Sequence, residues 1–215
     1  MKQVILIGAG KHAVLLAEKI FEDPHLELLG FIDNEAVKLP EFILEKGYKV
    51  LGDDNSLVKY RGDYFFHLAL GGELIEARKR VIDKIDHFNL KMISVIHQTA
   101  YISPTAILGR GVTVLINSVV HTNAKIGDFS CINNGAIVEH DCNLGNNIFI
   151  QPYGVLAGSV KVGNNTVVGM GASVKEGIAI GANCLIGACS FVNKDIPANS
   201  VAYGVPARIV HNRDV

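Results

Sequence analysis

The segment CINNGAIVEHDCNLGNNIFI, residues 131–150, carries an aliphatic residue at every sixth position: Ile132, Val138, Leu144 and Ile150. The same spacing extends in both directions, and all 17 such positions between residues 96 and 192 hold Ile, Leu or Val. Because these residue types make up about 30% of the chain, chance would produce the run with a probability on the order of 10⁻⁹ to 10⁻⁸. Residues 96–192 therefore form a hexapeptide repeat.

A second, longer period accompanies the first. Small or β-branched residues stand two positions before most of the aliphatic ones, which favours short strands around a narrow core. A glycine recurs in every third hexapeptide, at Gly109, Gly127, Gly145, Gly163 and Gly181. This predicts three short strands per coil, with a turn at each corner that tolerates unusual dihedral angles. The repeat is thus expected to form a triangular parallel β-helix of about five and a half coils.

Residues 1–95 lack this period and read as a small Rossmann-like α/β domain. Apolar runs predict strands over 3–7, 26–32 and 64–70, and amphipathic patterns predict helices over 11–21 and 73–88. Residues 34–54 form a connection of uncertain structure. The expected organisation is an α/β domain over 1–95, a β-helix domain over 96–195 and a C-terminal tail over 196–215.

Composition excludes several classes of protein. The net charge of −1 disfavours binding to nucleic acid or to a membrane through bulk charge, and no apolar run approaches the ~18 residues of a membrane span. The four cysteines form no CxxC pair, so reduced core thiols and a cytoplasmic protein without a metal site are expected. These cysteines are Cys131, Cys142, Cys184 and Cys189.

The first predicted strand is followed by Gly8-Ala-Gly10-Lys-His12-Ala13, a G-x-G-x-x-A match that opens a helix. Asp33 stands at the end of the second predicted strand, and Gly71-Gly72 follows the third. These features favour a nucleotide site, with an ordinary tight turn as the alternative. About 95 residues leave no room for both halves of a dinucleotide-binding domain.

The second candidate site is Glu139-His140-Asp141, at or near a corner of the β-helix. Flanking carboxylates stabilise an imidazolium, which suits His140 to take a proton from an amine or a hydroxyl. A solvated surface histidine is the alternative. His121 stands one predicted coil before Glu139, and a surface pair of these two is preferred over a second catalytic dyad.

Together with the closing Tyr203-Gly-Val-Pro-Ala-Arg208, these motifs resemble the bacterial sugar acetyltransferases with a left-handed β-helix. That family includes sialic acid O-acetyltransferase and the N-acetyltransferases of nucleotide-linked 4-amino sugars such as bacillosamine and perosamine precursors. The resemblance covers essentially the whole chain. It implies the left-handed twist, a homotrimer with acetyl-CoA between neighbouring β-helices, and a nucleotide-linked amino sugar held by the N-terminal domain.

The resemblance also implies roles for single residues. His140 would be the general base, Asp141 would raise its basicity, and Asn133 would lie near the acceptor sugar. The positions that match nucleotide contacts are Gly10, Lys11, His12, Asp33, Asn34 and Gly71. The positions that match the coenzyme groove are Phe149, Gly169, Met170, Gly187 and Ala188.

The chain departs from the family at three places. Lys11 replaces a usual glycine, Gly72-Glu73 replaces a usual asparagine-containing turn, and Phe149 stands where many relatives have a second histidine. Basic side chains that could contact the coenzyme phosphates, or simply be solvated, are Lys161, Lys175, Lys194 and Arg208.

The expected activity is direct transfer of an acetyl group to the 4-amino group of a nucleotide-linked deoxy sugar. O-acetylation of sialic acid or a related sugar is the alternative of the same class. A non-catalytic scaffold or nucleotide sensor, and a nicotinamide-dependent enzyme, are the alternatives of other classes.

Overall fold

The computed structural model describes residues 1–35 and 37–213. The chain divides into two compact units, Met1–Val95 and Ile96–Val215.

The first unit is a parallel four-stranded sheet with helices. The strand order is β3-β2-β1-β4, which places β1 in the middle and changes the direction of winding between β1 and β4. Its strands are β1 (Lys2–Ile7), β2 (Leu26–Ile32), β3 (Val50–Gly52) and β4 (Phe65–Leu68). Its helices are α1 (Lys11–Glu22), α2 (Glu41–Glu45) and α3 (Ile75–His87), with 3₁₀ turns over Asp54–Tyr60 and Gly72–Leu74.

Three predicted strands and two predicted helices of this unit are confirmed, with shifts of one or two residues at six of their ten ends. The connection over 34–54 holds α2 and β3, which the sequence did not reveal. Strand β3 has only three residues and ends at Gly52, so it is too short to show an alternating pattern.

The second unit is a parallel β-helix with three faces. The first face contains Val95–Ile96, Thr113–Val114, Cys131–Ile132, Phe149–Ile150, Val167–Val168 and Leu185–Ile186. The second face contains Tyr101–Ile102, Val119–Val120, Ile137–Val138, Val155–Leu156, Ser173–Val174 and Phe191–Val192. The third face contains Ile107–Leu108, Lys125–Ile126, Asn143–Leu144, Lys161–Val162 and Ala179–Ile180.

The aliphatic residue at every sixth position points into the prism, as predicted. From Val114 to Val192 each of these side chains is at most 3% exposed. The first coils are less covered, since Ile96 is 44% exposed and Ile102 and Leu108 are only partly buried. The residues that recur at every sixth position therefore form the core of the β-helix.

Three edges join the faces, and they are named after Asn133, His140 and the recurring glycines, respectively. The asparagine edge joins the first face to the second and includes residues 115–118, 133–136, 151–154, 169–172 and 187–190. The histidine edge joins the second face to the third and includes residues 103–106, 121–124, 139–142, 157–160 and 175–178. The glycine edge joins the third face to the first and includes residues 109–112, 127–130, 145–148, 163–166 and 181–184.

Every sixth residue from 111 to 189 has a positive φ, between 54° and 72°. These left-handed residues occupy the third position of each edge and are mostly Asn or Gly, which tolerate that conformation best. The chain thus turns each corner through one left-handed residue.

The recurring glycines at the first position of the glycine edge have another role than the one predicted. The prediction of unusual dihedral angles at these glycines is wrong, because the positive φ lies two residues later. A Cβ on Gly163 would lie 2.4 Å from the backbone nitrogen of Ala182 in the next coil, and one on Gly145 would lie 2.2 Å from the Asn164 side chain. These positions exclude larger residues because the coils approach so closely there.

The C-terminal segment, which the sequence predicted only as a tail, contains two strands. Strands Ser200–Gly204 and Ala207–Asn212 form an antiparallel hairpin, and the first of them extends the first face by pairing with Leu185–Ile186. The hexapeptide register ends before this hairpin, so the repeat could not predict it. Residues 214–215 of the predicted tail lie outside the described residues.

Three cysteines are buried and Cys189 is exposed, which corrects the expectation that all four lie in the core. Cys189 lies at the left-handed corner position of the asparagine edge, where side chains point outward. Among residues 1–35 and 37–213, no helix has the length and apolarity needed to cross a membrane.

Candidate active site

A cleft of about 590 Å³ opens at the carboxyl ends of the strands in the first unit. It lies where the winding of the sheet changes direction, which is the usual ligand site of such sheets. The six residues that the resemblance assigned to nucleotide binding all line this cleft: Gly10, Lys11, His12, Asp33, Asn34 and Gly71.

The glycine loop is shaped by close contacts. Gly8 has a φ of +113°, and a Cβ there would lie 2.9 Å from the Leu70 side chain. Gly10 precedes α1, and a Cβ there would meet nothing within 4 Å, so the space beside it is open. The N–H of Ala9 donates to Asp33 Oδ2 at 2.7 Å. Asp33 thus holds the loop in place while it lines the cleft.

A polar network that the sequence did not reveal forms another part of the cleft wall. Asn34 Nδ2 donates to Asp54 Oδ2 at 2.8 Å, and Asn34 Oδ1 accepts the N–H of Asp54 at 3.0 Å. Lys84 Nζ donates to the same carboxylate oxygen at 2.9 Å. Asn34, Asp54 and Lys84 come from three separate segments of the chain, so no local motif pointed to Asp54, to Lys84 or to their link with Asn34.

His12 lines the cleft as a neutral imidazole. Burial, together with the nearby positive charge of Arg78, lowers the pKa of His12 to about 4. Burial likewise lowers the pKa of His67 to about 4, and His67 Nδ1 lies 2.8 Å from the carbonyl oxygen of Ile93. Any contact of His12 with a ligand at neutral pH is therefore a hydrogen bond and not an ion pair.

In the second unit, His140 and Asp141 lie at the tip of the histidine edge. His140 Nδ1 is 2.9 Å from Asp141 Oδ2, although neighbours in an extended strand point to opposite sides. Asp141 is a left-handed corner residue with a φ of 58°, and this conformation turns its carboxylate back toward the histidine. Asp141 Oδ1 accepts from Asn123 Nδ2 at 3.1 Å in the preceding coil.

This arrangement makes His140 more basic. The hydrogen bond to Asp141 raises the pKa of His140 above its ordinary value, and the charges of Asp141, Glu139 and Glu176 add to the effect. The partnership with His140 lowers the pKa of Asp141, with a further contribution from Asn123. An ionised Asp141 accepts the Nδ1 proton, which leaves Nε2 as the basic nitrogen.

Gly158 provides the space into which the imidazole ring points. It occupies the equivalent position to His140 in the next coil, and a Cβ there would lie 2.5 Å from Cε1 and 2.6 Å from Nε2 of His140. Counting one coil onward from His140 would have found this residue in the sequence. The arrangement is a basic nitrogen beside a position without a side chain, which suits proton transfer to or from a bound ligand.

Two neighbouring groups have surroundings that differ from those of His140. His121 forms no ion pair with Glu139 among the described residues, so the expected surface pair is wrong; its Nδ1 accepts the N–H of Thr122 at 2.9 Å. Cys142 is buried, and burial raises its pKa to about 11, which keeps the thiol protonated and a poor nucleophile.

The other predicted residues of the β-helix lie elsewhere. Asn133 is on the asparagine edge, and so are the pairs Gly169-Met170 and Gly187-Ala188, two and three coils further on. Met170 is 52% exposed, whereas Phe149, on the first face, is only 3% exposed. A single chain thus brings Asn133 and four of the five coenzyme positions together on one edge, and His140 with Asp141 on another.

The four basic candidates for the coenzyme phosphates are also dispersed. Lys161 is on the third face, Lys175 and Lys194 continue the histidine edge, and Arg208 is in the C-terminal hairpin. Within the described part of the chain, no three His, Cys, Asp or Glu side chains are grouped so as to hold a metal ion.

Each of the two units matches a known protein family. Residues 3–85 match the PglD N-terminal domain, and residues 159–194 match the bacterial transferase hexapeptide family. A variant of perosamine N-acetyltransferase from Caulobacter crescentus, solved with CoA and GDP-perosamine, is 32% identical, with a TM-score of 0.89 over 99% of this chain and 98% of that one.

Two further relatives are informative. The acetyltransferase domain of PglB from Neisseria gonorrhoeae is 26% identical, with a TM-score of 0.87 over 98% of this chain and 100% of that one. An uncharacterized protein of Acanthamoeba polyphaga mimivirus is 30% identical over 129 residues, which are 60% of this chain but only 24% of that protein.

The fold and these relatives define an acyltransferase built from a small α/β domain and a left-handed parallel β-helix, which confirms the expected fold class. The chain belongs to the family of hexapeptide-repeat acetyltransferases that carry a PglD-type N-terminal domain.

Proposed function

We propose that this protein is an acetyl-CoA-dependent N-acetyltransferase that acts on the 4-amino group of a nucleotide-linked amino-deoxy sugar. The observation that carries the proposal is the His140–Asp141 pair, whose basic nitrogen lies beside Gly158. The relatives solved with CoA and GDP-perosamine, and with acetyl coenzyme A, support the choice of the two substrates.

The proposed reaction is a direct transfer between two bound substrates. The amine nitrogen attacks the thioester carbonyl carbon, and the new C–N bond forms as His140 Nε2 takes a proton from the nitrogen. The C–S bond then breaks, and the coenzyme thiolate receives that proton to leave as the thiol. A backbone N–H of the β-helix stabilises the oxyanion. A covalent acyl-enzyme at Cys142 is not expected, because its buried thiol stays protonated.

The two units divide the recognition of the substrates. The cleft of the first unit would hold the nucleotide: the open space at Gly10 admits a phosphate near the start of α1, and Lys11 adds a positive charge. Asn133 would contact the acceptor sugar, and the exposed side of the asparagine edge around Met170 would hold the coenzyme.

A homotrimer in the cytoplasm completes the proposal. Asn133 and His140 lie on different edges of one prism, so a site that uses both needs the histidine edge of one chain against the asparagine edge of a second. Repeated about a three-fold axis, this contact between two different edges closes into a ring. Each of three equal sites would then contain His140 from one chain and Asn133 from its neighbour.

Release of free thiol from acetyl-CoA by the purified protein tests the reaction. The acceptors are UDP-, dTDP- and GDP-linked 4-amino sugars, with sialic acid as the O-acetylation alternative. Turnover with one 4-amino sugar is expected and would name the nucleotide. Turnover with sialic acid alone would replace the proposal with O-acetyl transfer. Failure with every acceptor would contradict it and favour the scaffold.

Mixed subunits test whether the site is shared between chains. His140→Ala and Asn133→Ala are each expected to be inactive alone. When equal amounts are unfolded and refolded together, about a quarter of the interfaces should pair an intact His140 with an intact Asn133, and activity should return to about a quarter of the wild-type value. No recovery, despite a mass of three times 23.2 kDa, would place both residues in one chain's site.

A further inference from the structure

The tip of the histidine edge is a single column of side chains. Stepping from one coil to the next gives Thr122, His140, Gly158, Glu176 and Lys194. Backbone hydrogen bonds between successive coils hold the column in register. The N–H of Asp141 donates to the carbonyl of Thr122 at 2.9 Å, and the N–H of Ser159 donates to the carbonyl of His140 at 2.8 Å. The N–H of Gly177 likewise donates to the carbonyl of Gly158 at 3.0 Å. Glu176 therefore lies two coils from His140 on the same tip.

Gly158 leaves a gap between these two side chains. Neighbouring coils are about 4.8 Å apart, so the backbones at His140 and Glu176 are separated by about 9.6 Å. The imidazole already extends over Gly158, whose missing Cβ is what admits it. The ring therefore fills the part of the gap next to Gly158, and a small polar group in the remaining part would have the basic nitrogen of His140 on one side and the carboxylate of Glu176 on the other.

The carboxylate of Glu176 is available to a ligand. Glu176 is exposed, and the described residues provide it with neither a hydrogen bond nor an ion pair. Its negative charge acts on the histidine, since it contributes to the raised pKa of His140. By contrast, Asp141 already uses one oxygen for His140 and the other for Asn123.

We propose that Glu176 is the residue that selects an amine acceptor over a hydroxyl acceptor, by accepting a hydrogen bond from the protonated 4-amino group across the gap at Gly158. The inference rests on the proposed function and deepens it. A carboxylate attracts an ammonium group much more strongly than it attracts a hydroxyl, because the hydrogen bond to the ammonium is reinforced by opposite charges.

The protons balance in two steps. The bound ammonium first loses one proton to water, which produces the neutral amine that attacks the thioester. His140 takes the second proton as the C–N bond forms, and the departing thiolate receives it. Glu176 is needed for capture and orientation of the acceptor, and it is not consumed or changed in charge.

The test compares Glu176→Gln with Glu139→Gln. Both variants remove one negative charge near His140, and both charges raise the pKa of that residue, but only Glu176 lies on the tip column beyond Gly158. Glu176→Gln is expected to raise the KM for the amino sugar about tenfold and to leave the KM for acetyl-CoA unchanged. Glu139→Gln is expected to change the KM for the amino sugar less than twofold.

A second measurement separates charge recognition from shape. The inhibition constant of the same nucleotide sugar with a hydroxyl in place of the 4-amino group is expected to be equal in the wild type and Glu176→Gln. The inference would be overturned if the two variants changed the KM for the amino sugar equally or not at all. It would also be overturned if Glu176→Gln raised the inhibition constant in parallel with the KM. A wild-type protein without turnover of any amino sugar would instead contradict the proposed function itself, and the inference would fall with it.

Discussion

The glycine edge and the histidine edge are built from the same six-residue unit, yet they differ in regularity. Along the glycine edge, Asn147, Asn165, Asn183 and Asn199 form an amide ladder in which each Nδ2 donates to the next Oδ1, at 2.9 to 3.2 Å. A second ladder on the same edge runs from backbone N–H groups to Asp128, Asn146 and Asn164.

The histidine edge begins in the same way but does not continue. Asn123 donates to Asp141 as a rung of a ladder would, but Asp141 uses its other oxygen for His140, and Ser159 takes the next ladder position. The column beside it places Thr122, His140, Gly158 and Glu176 in successive coils. The edge that repeats is joined by hydrogen-bond ladders, whereas the edge that changes from coil to coil holds the proposed base.

The largest effect is expected from His140→Ala. Loss of the proposed general base should lower kcat/KM for acetyl transfer by about 10² to 10⁴, with the midpoint of thermal unfolding unchanged because the side chain is 49% exposed. Thiol-release kinetics and a melting curve on the same preparation measure both. Undiminished transfer would show that this edge does not supply the base.

A pair of glycine substitutions separates the two edges more sharply. Gly158→Ala places a Cβ against the His140 ring and should lower kcat about 10- to 100-fold by displacing the imidazole, with little loss of stability. Gly163→Ala, on the glycine edge, places a Cβ against backbone of the next coil and should cost about 1–3 kcal/mol of unfolding free energy.

The two glycine variants are to be measured by urea unfolding and by kinetics below the unfolding range. The comparison fails if Gly163→Ala lowers kcat as much as Gly158→Ala does, or if Gly158→Ala is the less stable of the two. Each protein also serves as the control for the other, because both substitutions add one methyl group to an edge.

Asp141→Asn is expected to move the pH dependence of the reaction. The base acts when neutral, so kcat/KM rises as the pH rises through the pKa of His140, which Asp141 raises. Removing the carboxylate charge should shift the acidic limb to lower pH and reduce the plateau about tenfold, because a weaker and less oriented base remains.

The carboxylate of Asp128, on the glycine edge, offers a matched control for that profile. Asp128 pairs with Arg110 at 2.9 Å and does not contribute to the pKa of His140. Asp128→Asn should therefore leave the acidic limb in place. The proposed roles of His140 and Asp141 would be contradicted if the acidic limb stayed in place in Asp141→Asn, or if it moved in both variants.

The fold could be predicted from the sequence because the core residues of the β-helix recur at every sixth position, from Val114 to Val192. Elements without a period were harder to predict: strand β3 is short, and the hairpin over 200–212 follows the end of the register. The role of the recurring glycines was misjudged, since a period shows where a glycine recurs but not whether φ or contact requires it.

The candidate site was predicted in part. Motif spacing identified the glycine loop, Asp33 and His140, which are close in sequence to a strand end or to a corner. The Asn34–Asp54–Lys84 network depends on packing between distant segments and left no pattern. Gly158 and Glu176 could have been placed near His140 from the sequence, because they lie one and two coils after it. A single glycine and a single glutamate form no motif, however, so only the stacking of the coils shows their proximity.

The smallest effect on catalysis is expected from breaking the amide ladder at Asn165, which donates to Asn183 at 3.2 Å and accepts from Asn147 at 3.0 Å. Asn165→Ala removes both hydrogen bonds. It also places alanine, whose side chain cannot form a local hydrogen bond, at a φ of 58°. Together these effects should lower the free energy of unfolding by about 2–3 kcal/mol. Asn165→Gly removes the same bonds without the backbone penalty and should cost about 1–2 kcal/mol. Urea unfolding at one protein concentration measures both, and kcat should stay unchanged. If alanine and glycine variants were equally stable, the left-handed corner would impose no penalty; if both matched the wild type, the ladder would contribute nothing and the regularity of this edge would need another cause.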